Sequence, residues 1–193
     1  MSERTPKEIL CAYLQEARDA IVWKLDGLSE YDARRPLTPT GTNLLGIIKH
    51  LASIEFGYFG DTFGRPSGES LPWFSPDAEP NADMWATPDE SREQIVDMYR
   101  RSWAHAAGTF EALELETEGS VPWWTPGNSP TLHHIAVHMI AETHRHAGHA
   151  DIVRELIDGS AGIAADDSNL PPVGEDFWPA YRERVEAAAR QFR

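Results

Sequence analysis

Apolar residues recur with a helical period in four long stretches of this chain, and no stretch alternates in the manner of a strand. In the first, Ile9, Leu10, Tyr13, Leu14, Ala17 and Ile21 share one face. It opens on a capping box, Thr5 with Glu8, has Pro6 at its first helical position and is expected to end near Gly27. In the second, from about Asn43 to about Phe63, the stripe is Leu44, Ile47, Ile48, Leu51, Ile54 and Tyr58. A second capping box, Thr87 with Glu90, predicts the start of the third, whose Ile95, Met98, Tyr99, Trp103, Ala106 and Phe110 repeat to near Leu115. The fourth is bracketed by Ser129 with Pro130 and by Gly159. A shorter fifth helix is expected from Phe177 to Gln191. Residues 64–86 hold too many prolines and polar residues for a regular element and are long for a plain connection, which marks a functional loop. The fold class read from this pattern is all-α, a four-helix bundle with long loops and a short C-terminal helix. Its long connections leave helix order and handedness open.

One helical face breaks its own rule. At about 100° per residue, Ile135, Met139, Val153 and Ile157 fall on one side of the fourth helix, and Glu142 and His146 project into the same sector. Both are therefore expected to turn inward, where a carboxylate and an imidazole must be paired, hydrogen-bonded or bound to metal. Residues four apart face the same way and can hold one ion as a pair. His50, mid-helix between Ile47 and Ile54, is the best third ligand. Two His and one Glu leave coordination positions open, the pattern of a catalytic zinc site. Blander readings stand beside this one: His50 as a hydrogen-bonded histidine at the core's edge, and Glu142 paired with a basic side chain. His134 and His138 extend the ladder but drift about 40° per step toward the edge of the stripe. His133, His144 and His105 read as solvated surface residues. His149 is either a supporting hydrogen-bond partner of the site or exposed.

Composition narrows the remaining choices. The 193 residues contain no 18-residue apolar run, so residues 1–193 are expected to form a single soluble domain that does not cross a membrane. The charged start, MSERTPKEIL, lacks the apolar stretch of a secretory signal, and a cytoplasmic location is expected. Cys11, the one cysteine, permits no internal disulfide and reads as a packing residue. A net charge of −14 argues against nucleic acid as a partner. There is no H-E-x-x-H, no Glu followed three residues later by His, no G-x-S-x-G and no phosphate-binding P-loop. A mononuclear metal site survives these exclusions.

The stretches NLLGIIKHLASIE and AETHRHAGHADIVRE resemble the DinB-like superfamily, in particular the branch of mycothiol S-transferases and mycothiol-dependent maleylpyruvate isomerase. The resemblance spans the chain from the first helix to the end of the fourth. It implies a divalent metal, most often zinc, on His50, Glu142 and His146. Glu at 142, where many DinB-like proteins have His, points to the mycothiol-linked members. The chain ends soon after its bundle, without room for the isomerase's extra domain, so isomerisation is not expected. The activity implied is a zinc-dependent thiol S-transferase for detoxification, in which a low-molecular-weight thiol such as mycothiol attacks a small electrophile. The alternatives are a metal-dependent hydrolase and a non-enzymatic metal-binding stress protein. Beyond the metal ligands no catalytic residue is assigned. Trp73, Trp85, Trp123 and Trp124 are expected either to wall the thiol pocket or to cap the bundle ends. The resemblance also implies a homodimer, for which the sequence offers no seam.

Overall fold

The computed structural model describes residues 4–125, 127–174 and 176–193; the first three residues of the charged N-terminus lie outside these. Among the described residues there are six α-helices: α1 (Pro6–Val22), α2 (Glu30–Arg34), α3 (Leu44–Phe59), α4 (Arg92–Ala112), α5 (Leu132–Asp158) and α6 (Phe177–Arg190). No β-strand forms among them, only two isolated bridges.

The helix starts follow local hydrogen bonding. Thr5 and Glu8 form the expected capping box on α1. The helix then tightens into a 3₁₀ turn at Trp23–Leu25 and stops before Gly27, whose φ of 73° suits a residue without Cβ. Asn43 caps α3 by accepting the Gly46 N–H at 2.7 Å. That helix ends at Phe59, earlier than its apolar period suggested, because Asp61–Phe63 close a separate 3₁₀ turn.

Two starts differ from the sequence expectation. Thr87 N–H does donate to the Glu90 carboxylate, at 2.7 Å, but that carboxylate also holds Lys49, so the contact closes a turn before the helix. Ser91 and Gln94 form the capping box of α4. For α5 the cap is Thr131, not Ser129, since 117–119 and 130–132 first pair in extended form. The short α2 had no apolar period to betray it; Ser29 caps it.

Helices α1, α3, α4 and α5 make the bundle, with α3 packed against both α4 and α5, and α1 against α5. One cluster joins Ile21, Leu44, Ile48, Leu51, Tyr99 and Val153, and a second joins Leu14, Phe59, Phe110, Leu132, Ile135 and Met139. Each such side chain contributes about 1.5–3 kcal/mol on leaving water. Cys11 packs at the edge of the second cluster, half-buried, and burial pushes its thiol pKa up. No residue of α6 is buried.

Between the helices lies a buried ion pair. Arg18 of α1 donates to both oxygens of Glu55 of α3, at 2.9 and 2.8 Å, and the Ser102 hydroxyl of α4 donates to the same carboxylate at 3.0 Å. Burial pushes the Glu55 carboxyl above its ordinary value, against the pull of Arg18 and Ser102. Removing one partner strands the other charge in the core. Glu55→Leu is expected to cost about 3–5 kcal/mol in urea denaturation, and the double variant Arg18→Met/Glu55→Leu markedly less. A single variant as stable as the wild type would show that the pair does not hold the three helices together.

Candidate metal centre

The site is built where α3 and α5 meet under the long loop 64–86. The side chain of Lys49 is buried, and its ammonium donates to the carbonyls of Ala82 and Trp85, both at 3.0 Å, and pairs with Glu90 at 2.9 Å. Burying a charge demands such partners, so the loop is fastened onto α3 at this point. The contact is close: a Cβ on Gly46 would lie 1.8 Å from the Met84 carbonyl oxygen, and only glycine admits the loop there.

The fastening brings Asp83 to the next residue of α3. Asp83 Oδ2 lies 2.6 Å from His50 Nδ1. Burial pushes the Asp83 carboxyl up, but the hydrogen bond and charge of His50, with Lys49 behind them, hold it below its ordinary value. The ionised carboxylate only accepts, so Nδ1 of His50 bears the proton. Its Nε2 is left as the free donor atom and faces Glu142 Oε1 at 4.0 Å.

From α5, His146 Nε2 stands 3.1 Å from Glu142 Oε1, and the rings of His50 and His146 lie 5.0 Å apart between centroids. His50, Glu142 and His146 each offer one ligand atom, and these atoms all lie within 4.8 Å of one another. His146 is buried, its Nδ1 has no hydrogen-bond partner among the described residues, and its pKa falls to about 4. Burial is the main cause, with the neighbouring His50 adding to it against the opposing pull of Glu142. A neutral imidazole, a second imidazole with its tautomer fixed by a carboxylate, and a carboxylate between them form a donor set that fits a divalent cation.

Glu142 is less interior than its helical phase implied. It is half-buried and also meets the exposed Arg145 at 3.6 Å, so the basic partner considered for it exists. The reason is a cavity of about 490 Å³ into which His50, Glu142, His146 and His149 face. Its other walls include Ile47, Met84 and Trp85, with Thr40, Thr42, Asn81 and Arg145 supplying polar groups. His149 stacks edge-on to His146 at 5.3 Å between ring centroids.

The other candidates lie elsewhere. Of the four tryptophans, Trp85 lines this cavity, whereas Trp73 donates to Ser53 Oγ at 2.9 Å and lies beneath the Lys49 ammonium. Trp123 and Trp124 both donate to the Tyr58 hydroxyl, further along α3. His138 packs on Tyr58 and His134 on Trp124, away from the three donors. His133 and His144 are exposed as expected, but His105 is not a solvated residue. Its ring packs on Phe56, and its Nε2 is buried without a partner among the described residues. Asp83 and Lys49 were missed by sequence reasoning. Lys49 lies within the stretch NLLGIIKHLASIE, where a charge among apolar residues names no partner, and for Asp83 the unusual length of 64–86 was the one available signal.

Comparison with known proteins adds a family and a fold. A family model described as mycothiol-S-transferase matches residues 9–159, which span α1 to the end of α5. Among solved structures, a conserved protein from Enterococcus faecalis is similar with a TM-score of 0.59 and 16% identity, covering 82% of this chain and 100% of that one. At that identity the likeness is one of fold. No curated protein matches the chain.

Two outcomes follow from the geometry. Asp83→Asn removes the carboxylate that orients His50, and zinc affinity measured by chelator competition is expected to fall about 10–100-fold. Unchanged affinity would show that Asp83 has no part in the site. Because the folded pKa of His146 lies below its unfolded value, the unfolded chain binds more protons between about pH 6.5 and 4. Without metal, stability should thus fall as pH drops through that window, and His146→Phe should flatten the slope. Equal slopes for the two proteins in denaturation across pH would contradict the assignment.

Proposed function

Because the chain belongs to the mycothiol-S-transferase family, we propose that it is a zinc-dependent transferase that joins a low-molecular-weight thiol such as mycothiol to an electrophile. The observation that supports this reading is the convergence of His50, Glu142 and His146 on the wall of one open cavity. These three residues would hold the ion. Bound there, it would supply positive charge that favours the thiolate, the nucleophilic form of a thiol.

The chain's own side chains divide the remaining work. Asp83 accepts the Nδ1 proton of His50, which leaves Nε2 as the ring nitrogen turned to the site. Burial keeps His146 neutral near pH 7, so one of its two ring nitrogens is free of a proton. Glu142 contributes a negative charge that tempers a divalent cation. Trp85, Met84 and Ile47 exclude water from one side of the cavity, while Thr40, Thr42 and Asn81 supply the hydroxyl and amide groups that a sugar-bearing thiol needs for hydrogen bonding.

The test is a conjugation assay with protein, zinc, mycothiol and an electrophilic probe. Conjugate is expected to form well above the metal-free background, and His146→Ala and His50→Ala are each expected to fall to that background. Turnover of esters or amides without any thiol, with no conjugate formed, would replace this reading by a hydrolase in which the metal activates water.

A further inference from the structure

A second cavity runs along the same face of α3. It measures about 460 Å³, within the range of small-molecule sites, and is walled by Ile54, Gly57, Leu71, Phe74 and Trp123. On α3, Ile54 and Gly57 point within about 40° of His50. They lie about 6 and 10 Å further along the helix axis. Leu71 and Phe74 come from the same loop that delivers Asp83 to His50. The cavity thus lies along the helix face that carries His50, one to two turns nearer Tyr58, although the two cavities have no wall residue in common.

Its chemistry is the opposite of its neighbour's. Ser53 touches it but is already engaged, donating to the Lys49 carbonyl and accepting from Trp73. Among the described residues, the one charged lining side chain is Asp61, and no cation is part of the wall. An anionic ligand would find no partner there and would meet a carboxylate. The wall is also held in place. Trp123 packs edge-on to Tyr58 with ring centroids 5.1 Å apart, and its ring rests against the backbone at Gly57, where a Cβ would lie 2.7 Å from the indole.

Resting on the transferase reading above, we propose that this cavity is the subsite for the electrophile, and that it selects neutral electrophiles with an apolar alkyl or aryl body. The polar cavity then receives the thiol, and the two substrates meet near His50. With an iodoalkane as the probe, the sulfur–carbon bond forms as the carbon–iodine bond breaks, iodide leaves and the thiol proton passes to solvent.

The experiment measures kcat/KM, above the metal-free background, for conjugation of mycothiol with iodoethane, 1-iodobutane, 1-iodohexane and the anionic 6-iodohexanoate. In the wild type the value is expected to rise about threefold per added methylene. The anionic probe is expected to react at least tenfold more slowly than 1-iodohexane. Phe74→Ser, a loop substitution, and Gly57→Leu, which displaces Trp123 and fills the groove, should each flatten the dependence on chain length. Circular dichroism and zinc content show whether each variant is folded and loaded. Conjugation with a chain-length dependence equally steep in wild type and in folded variants, or a preference for the anionic probe, overturns the subsite alone. Absence of conjugate with every iodide in the wild type overturns the transferase reading beneath it.

Discussion

The buried ammonium of Lys49 is the constraint on which the site depends. A charge that leaves water costs several kcal/mol unless its donors are all used, and here the partners come from the loop and from the turn before α4. Loop 64–86 is therefore not free to lift from α3. Its fixed position puts Asp83 on His50, Trp85 on the polar cavity, and Leu71 and Phe74 along the apolar one. One lysine thus organises a 23-residue segment that forms only short 3₁₀ turns.

The electrostatics of the centre follow from the same arrangement. Two carboxylates, Asp83 and Glu142, flank two imidazoles, and the buried one is kept neutral near pH 7. Arg145 meets Glu142 and Lys49 stands behind Asp83, while His146 Nδ1 has no hydrogen-bond partner among the described residues. A buried nitrogen left so is expensive as plain core structure, where buried polar groups are normally paired. It suits a place where a cation completes the set.

Periodicity made the bundle legible, because each long helix buries one stripe and that stripe repeats in the sequence. It also located the pair on α5, since a four-residue spacing fixes two side chains on one face whatever the tertiary structure. His50 was legible only as a histidine beside a stripe, and its approach to Glu142 needed the packing of α3 on α5. Helix starts were less legible. Thr87 with Glu90 has the form of a capping box, but the Glu90 carboxylate also serves Lys49. Ser129 with Pro130 was overridden by backbone pairing to 117–119. Asp83, Lys49 and the Arg18–Glu55 pair were not read at all. Loops have no period to place a carboxylate, and a charged residue within an apolar stretch does not announce a partner distant in sequence. The tryptophans show the same limit: composition marked the loops that hold them, and only the fold separated Trp85 from Trp73, Trp123 and Trp124.

The most direct test of the account is X-ray absorption spectroscopy of the zinc-loaded protein, wild type beside His50→Gln. The account predicts two imidazoles and a carboxylate oxygen around the ion in the wild type, and one imidazole fewer in the variant. A wild-type shell without imidazole, or the same two imidazoles in both proteins, would contradict it.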